Sequence, residues 1–278
     1  MNDFLKRILK SIGLVVLYIL VQCVVVTGVM FYFMYFDNDF MTALEEAMTQ
    51  YSNVVNPASM RIMYRLLVPT MLLSDLLTTI PILIFSKKKN EKIIRKIEKN
   101  KFFIIILLSL GLNILMEFLL GFVPDDVMSS YTELMAVTEN MSFFWQMIVI
   151  GILAPIVEEL IFRYACIRPF KTYKPKVLKC KGETIGIIFS ALMFGLAHGN
   201  IVQSTYAFIF GLLLAYVYTR EYNLSESILM HMTINSSSTI LVALTEPFSI
   251  IMEVGMIVCM IVSIVIIVKR KGLFYEQK

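Results

Sequence analysis

Residues 11–35 read SIGLVVLYILVQCVVVTGVMFYFMY, a run without Asp, Glu, Lys or Arg. A helix needs about 20 apolar residues to cross the hydrocarbon core of a bilayer, and this run is longer than that. Lys6, Arg7 and Lys10 precede it. It is too long for the apolar region of a signal peptide and no small-residue cleavage site follows, so it is expected to stay as an anchor. Seven further stretches repeat the pattern, at 65–86, 102–123, 143–163, 184–198, 202–219, 227–244 and 250–268. The fifth span, 184–198, is short, covering about 22 Å at 1.5 Å per residue. The seventh is polar for a span, with His231, Thr233, Asn235, Ser236, Ser237 and Ser238. Hydropathy alone does not decide these two. The expected fold is an all-α polytopic membrane bundle of about eight transmembrane helices, a single integral membrane domain over 1–278.

Composition agrees. Of the 278 residues 58% are hydrophobic and 17% charged, against roughly half and a quarter in soluble domains. The charges are sorted by loop. Residues 87–101 hold Lys87, Lys88, Lys89, Lys92, Arg95, Lys96, Lys99 and Lys101, and 168–181 hold Arg168, Lys171, Lys174, Lys176, Lys179 and Lys181. The tail carries Lys269, Arg270 and Lys271, whereas 36–60 and 124–142 contain acids but no Lys or Arg. Cytoplasmic loops carry the basic excess, so eight spans with both termini cytoplasmic satisfy all the loops at once. Segment 41–54 fits a short outer surface helix or a solvated loop equally well. The four cysteines, at 23, 166, 180 and 259, have no metal or redox spacing. Cys23 and Cys259 read as small buried hydrophobes.

Ionisable groups inside spans are costly and mark functional candidates. Here they gather in the second half of the chain. The fourth span ends Ala154-Pro155-Ile156-Val157-Glu158-Glu159-Leu160-Ile161-Phe162-Arg163. Arg163 stands four residues after Glu159, on the same helix face. Glu158 points about a third of a turn away, toward a cavity where it could take a proton from water. Equally, both glutamates could solvate a helix end at the cytoplasmic interface. His198 closes the fifth span, as a packing residue or a cavity group. His231 and Asn235 share a face of the seventh, and an amide there is often interhelical glue. The chain has two histidines in all, and both fall in this polar half. Asp75 and Glu117 are the main intramembrane acids of the first half, and no role is assigned to them.

Together, Glu158-Glu159-x-x-x-Arg163, Phe194-x-x-x-His198 and His231-x-x-x-Asn235 resemble, in order and spacing, the three motifs of the type II CAAX prenyl endopeptidase and bacteriocin-processing (CPBP, or Abi) intramembrane proteases. The resemblance covers 143–244, the expected protease core; the first three spans are similar only as generic membrane helices. It implies peptide-bond hydrolysis in a cavity within the bilayer, with Glu158 as the water-activating base. By the same resemblance His198 assists that water or ligates a metal. His231 and Asn235 stabilise the oxyanion or, for His231, ligate the metal, while Glu159 and Arg163 are support.

The chemistry of these residues is consistent with that reading. Neutral imidazole can share a proton with water or bind zinc. An amide donor at a developing oxyanion is typically worth about 2.7–4 kcal/mol. Two histidines and a glutamate resemble a three-ligand catalytic zinc set, yet a ligand carboxylate cannot comfortably also be a free base. A divalent metal such as zinc on His198 and His231 therefore stays open beside a metal-free mechanism.

The implied partners are a peptide or membrane-protein substrate and the lipid bilayer, with no nucleic acid. A eukaryotic prenyl-protein substrate does not follow from these residues. Bacterial members similar to this chain are linked to peptide-bacteriocin maturation, self-immunity and signalling-peptide processing, and the Ile- and Lys-rich composition suggests a bacterial plasma membrane. Two other readings compete: a non-catalytic immunity or signalling partner with the same fold, and a proton-relay transporter. The latter ranks last because the chain shows no repeat of the kind transporters carry. One geometric tension stands. Glu158 and His231 lie toward the cytoplasmic side in this topology, while His198 ends a helix running outward. They meet only if the fifth helix starts deep, tilts or re-enters.

Overall fold

A computed structural model of the chain describes residues 3–49, 57–88, 92–139, 141–175, 180–244 and 247–269. Lys89, Lys176, Lys179, Arg270 and Lys271, part of the charge pattern, lie outside these residues, as do positions 50–54 of the expected surface helix. The described residues are helical with no strand. The helices are α1 Asp3–Phe36, α2 Asn38–Thr49, α3 Pro57–Lys88, α4 Lys99–Leu120 and α5 Asp125–Glu139. They continue with α6 Phe143–Phe170, α7 Gly182–Leu196, α8 Ile201–Glu221, α9 Leu224–Ala243 and α10 Phe248–Lys269. Six of them, α1, α3, α4, α6, α8 and α10, are long and apolar enough to cross a membrane. The expected eight are therefore six by this measure. α7 is apolar but short, and the 20 residues of α9 carry too many polar side chains.

α6 is the axis of the bundle. Val157, Ile161, Phe162 and Cys166 pack with Val15 of α1, Phe194 of α7 and Ala207 of α8. On its other side Leu160, Tyr164 and Ile167 meet Ala215 and Tyr218 of α8 and Leu224 of α9. A third cluster joins Ile105 of α4 to Phe210 and Leu214 of α8 and to Met230 and Ile234 of α9. α1 and α10 stay at the rim, with Leu17, Val24, Phe31, Ile251 and Val265 exposed, as lipid-facing side chains are. Cys23 is among the exposed positions and Cys259 is half-buried, so the buried cysteine is Cys166. The expectation of buried Cys23 and Cys259 fails because α1 and α10 are rim helices.

Helix starts follow local chemistry. Asn200 caps α8 by accepting the N–H groups of Val202 at 3.0 Å and Gln203 at 3.3 Å. Gly199 before it has φ +70, a backbone region that favours glycine, and this permits the tight turn between α7 and α8. Asn223 caps α9 through Ser225 N–H at 3.1 Å. Asp37 caps α2 through Phe40 N–H at 3.0 Å and pairs with Arg65 of α3, so α2 begins earlier than the expected 41.

Segment 124–142, read as a loop, contains α5. Pro124 followed by Asp125 and Asp126 is a helix-start signal, because acids suit the positive end of the helix dipole. α5 lies against α8, with Tyr131 edge-on to Tyr206 at 6.1 Å and Ser130 Oγ accepting from Asn200 Nδ2 at 3.0 Å.

Two outcomes follow from this packing. At Gly111 of α4 an added Cβ would lie 2.0 Å from Met260 Cβ of α10. Gly111→Val should therefore cost about 1–3 kcal/mol through overpacking, measured as a lower thermal midpoint in detergent. At Asp37, the Phe40 N–H first and then Arg65 hold the carboxyl below its ordinary value of 3.8. The ionised form is thus favoured in the folded state. Its contribution is present above pH 3.8 and is lost as pH falls through the lower folded-state value. Across that acid window the wild type should lose more thermal midpoint than Asp37→Asn.

Candidate active site

The backbone of α6 is not a regular α-helix. Gln146–Leu153 and Glu159–Ala165 are π-helical, flanking an α-helical Ala154–Glu158. Wide π turns inside α-helices recur at functional sites. In the first of them Ala154 N–H donates to Val149 O, five residues back. The next donor in that register would be residue 155, but Pro155 has no N–H. Ile150 O is thereby left without its helical partner, and Asn235 Nδ2 of α9 donates to it at 3.1 Å. Ser236 Oγ donates to the adjacent Gly151 O at 3.2 Å. An open backbone turn in α6 is thus answered by side chains of α9, as membrane depth requires.

The second π turn starts at Glu159, whose side chain is fully buried together with that of Arg163. Arg163 Nε donates to Glu159 Oε2 at 3.1 Å, and Nη1 donates to Ser190 Oγ of α7 at 3.1 Å. Ser190 in turn donates to Phe162 O at 2.6 Å. The guanidinium lies 4.6 Å over the Phe194 ring, a cation–π contact. The other carboxylate oxygen, Glu159 Oε1, is 3.1 Å from His231 Nδ1. A carboxylate can only accept, so the proton sits on Nδ1. Nε2 therefore turns toward Glu158, whose Oε2 is 3.5 Å away. The two adjacent acids differ in setting: the Glu158 side chain keeps 20% of its exposure and Glu159 none. α6 runs on to Phe170, past its expected end at 163, which places both acids near the middle of the helix.

His198 follows the end of α7 instead of closing a span, and its Nδ1–H donates to Phe194 O at 2.8 Å. The Phe194 ring stands edge-on to His198 at 4.9 Å and to His231 at 5.6 Å. The structure thus brings Glu158, Glu159, Arg163 and His231 into direct contact. Asn235 sits one turn further along α9, and His198 joins the group through one aromatic ring. Sequence reasoning assigned no role to Phe194 and did not consider Ser190. The signal for the Asn235–Ile150 bond was present in Pro155 together with the polar run 235–238. The depressions at the α1–α2–α3 corner, about 330 Å³ beside Asp37 and about 300 Å³ beside Arg65, lie in another part of the fold.

Among the described residues no three His, Cys, Asp or Glu side chains converge as a metal site. His231 already faces a carboxylate at each ring nitrogen, and His198 spends Nδ1 on a carbonyl. In both rings Nε2 is the nitrogen left to ligate a metal, since an Nδ1–H held by a carboxylate or a carbonyl is the usual setting of a metal-bound histidine, and no step is routed through a metal.

Removing one member of a buried ion pair strands the other and costs about 3–5 kcal/mol. Arg163→Met should therefore lower the thermal midpoint sharply. The double variant Glu159→Gln/Arg163→Met should lose less than the sum of the single changes, as a double-mutant cycle in detergent would read.

No curated protein and no solved structure matches the chain. One family model does: Rce1-like, the type II CAAX prenyl endopeptidase Rce1-like family, over residues 140–237. That stretch holds Glu158, Glu159, Arg163, His198, His231 and Asn235, so the part of this multi-pass membrane protein that carries the candidate site is similar to the type II CAAX prenyl endopeptidase Rce1-like family.

Proposed function

We propose that the protein is an intramembrane endopeptidase that hydrolyses a peptide bond in a peptide or membrane-protein substrate, with the catalytic core in 143–244. The observation that carries this reading is the half-buried carboxylate of Glu158, 3.5 Å from His231 Nε2 and beside a fully buried Glu159–Arg163 pair. Glu158 is the base. It takes a proton from water as the oxygen adds to the scissile carbonyl, then returns that proton to the leaving nitrogen. Such proton transfer contributes about 10²–10⁴-fold in rate.

Glu159 and Arg163 do not touch substrate in this reading. They orient His231 by holding its Nδ1–H, which leaves Nε2 at the reacting face. An amide group has two N–H donors. Asn235 uses one on Ile150 O and has a second for a developing oxyanion. His198, anchored through Nδ1, has Nε2 to assist the same water. Two supports favour this assignment over a helix end that merely solvates itself: the mid-helix depth of Glu158 and the match of 140–237 to an endopeptidase family.

The substrates proposed are bacteriocin-type or signalling peptides at a bacterial plasma membrane, with both termini cytoplasmic. The basic residues around the 87–101 segment and the acidic α5 support that orientation through the positive-inside rule.

The test compares wild type, a deletion strain and Glu158→Gln at matched membrane levels, by mass spectrometry of membrane and secreted peptides. An uncleaved precursor should accumulate in both altered strains, with cleavage by Glu158→Gln down at least about 100-fold. If only the deletion differs from wild type, Glu158 is not the base and a non-catalytic partner role replaces this one.

A further inference from the structure

Asp75 of α3 is a buried carboxylate, 5% exposed, and its Oδ2 has no hydrogen-bond partner among the described residues. Buried polar groups are nearly always satisfied, and an exception calls for a ligand or an ordered water. Its surroundings say which. α3 packs on the Ala154–Glu158 turn of α6, and Asp75 lies within electrostatic reach of Glu158. Tyr18 of α1 is within reach of both carboxylates. It packs on the cluster that contains Val157 and Ile161, on either side of Glu158 in sequence. Three oxygen-bearing side chains from three packed helices thus lie within electrostatic reach of one another. Arg163, the cation nearest to Glu158 in sequence, gives Nε to Glu159 and Nη1 to Ser190.

Two carboxylates facing each other without a cation repel, whereas a water between them can donate one hydrogen to each. A buried water typically has about three polar partners, and the Tyr18 hydroxyl supplies the third as a donor to one water lone pair. The remaining lone pair is then free for an electrophile.

We infer that Asp75 and Tyr18 are positioning residues that, with Glu158, seat the hydrolytic water. This rests on the reading of Glu158 as base. The water oxygen bonds to the scissile carbonyl carbon while Glu158 takes one of its protons. The C–N bond then breaks as Glu158 gives that proton to the nitrogen. The second water proton leaves on the new carboxyl group, having been held by Asp75, and Asp75 ends unchanged.

The test uses the full chain in proteoliposomes. The probe is the precursor that accumulates in the deletion strain, and the variants are Asp75→Asn, Tyr18→Phe and Glu158→Gln. Asp75→Asn keeps the shape of the side chain, and Tyr18→Phe removes a single hydroxyl, so one of the two reports even where the other fails to fold. The expected result is a fall in kcat of about 10- to 100-fold for Asp75→Asn, the scale of a misplaced reactant, and a smaller fall for Tyr18→Phe. KM and thermal midpoint should stay at wild-type values. Infrared spectra give an independent signature. The carboxyl band that disappears in Glu158→Gln should shift in Asp75→Asn, which a merely structural Asp75 would not cause. If Glu158→Gln abolishes cleavage while Asp75→Asn and Tyr18→Phe leave both kcat and that band at wild type, the water seat is wrong and the protease reading stands. If Glu158→Gln cleaves normally, both fall.

Discussion

The carboxylate of Glu159 is fully buried within a membrane bundle, and the positions of three helices depend on how its charge is met. Arg163, one turn along the same helix, neutralises it, and His231 from α9 satisfies the second oxygen. Arg163 then reaches α7 through Ser190 and the face of Phe194. A charge pair in this setting repays its desolvation only with good geometry and further hydrogen bonds; Arg163 has them at Nε and Nη1, while its Nη2 has no hydrogen-bond partner among the described residues. α6, α7 and α9 are therefore held in one relative placement, because sliding any of them would strand an ion in an apolar interior. The same contacts set the tautomer of His231, so what holds the bundle also aims the imidazole.

The second constraint is the departure of α6 from regular helix. Pro155 and the π turns leave backbone carbonyls open at a depth where water is scarce. α9 answers with Asn235 and Ser236, and Ser237 accepts from Asn113 of α4 at 3.0 Å. The polarity of α9 is thus directed inward, onto α6 and α4, while lipid is met by α1, α3 and α10. A helix too polar to cross a bilayer by itself is stable here because its polar face touches protein.

Adjacent acids in one helix acquire different roles from a rotation of roughly 100°. Glu159 turns into the packed interior and is consumed by structure. Glu158 turns away from that pair, keeps part of its exposure, and meets the other nitrogen of His231. The reactive property of Glu158 therefore comes from what its neighbour has already taken: the cation and one nitrogen of His231 are committed to Glu159. α5, whose Ser130 holds Asn200 beside His198, extends the same logic outward by fixing the turn that carries the second imidazole.

Much of this was legible locally. Long apolar runs mark the rim and axis helices because crossing lipid requires length and hydropathy, both properties of a contiguous segment. The i, i+4 spacing of Glu159 and Arg163 and that of His231 and Asn235 follow from helix geometry alone. α5 escaped because an amphipathic helix on a polar surface has no long apolar run to announce it, and α6 outran its expected end because its last turns are buried by protein rather than lipid. What only the tertiary structure decided are pairings between distant positions: Glu159 with His231, separated by 72 residues, and Ile150 with Asn235, separated by 85. The same holds for the Phe194 ring between the two imidazoles and for the burial of Asp75 against α6. Hydropathy and spacing by themselves state which residues a helix presents on each face; which helix stands opposite is set by the packing that meets the buried Glu159–Arg163 pair and the open Ile150 carbonyl together.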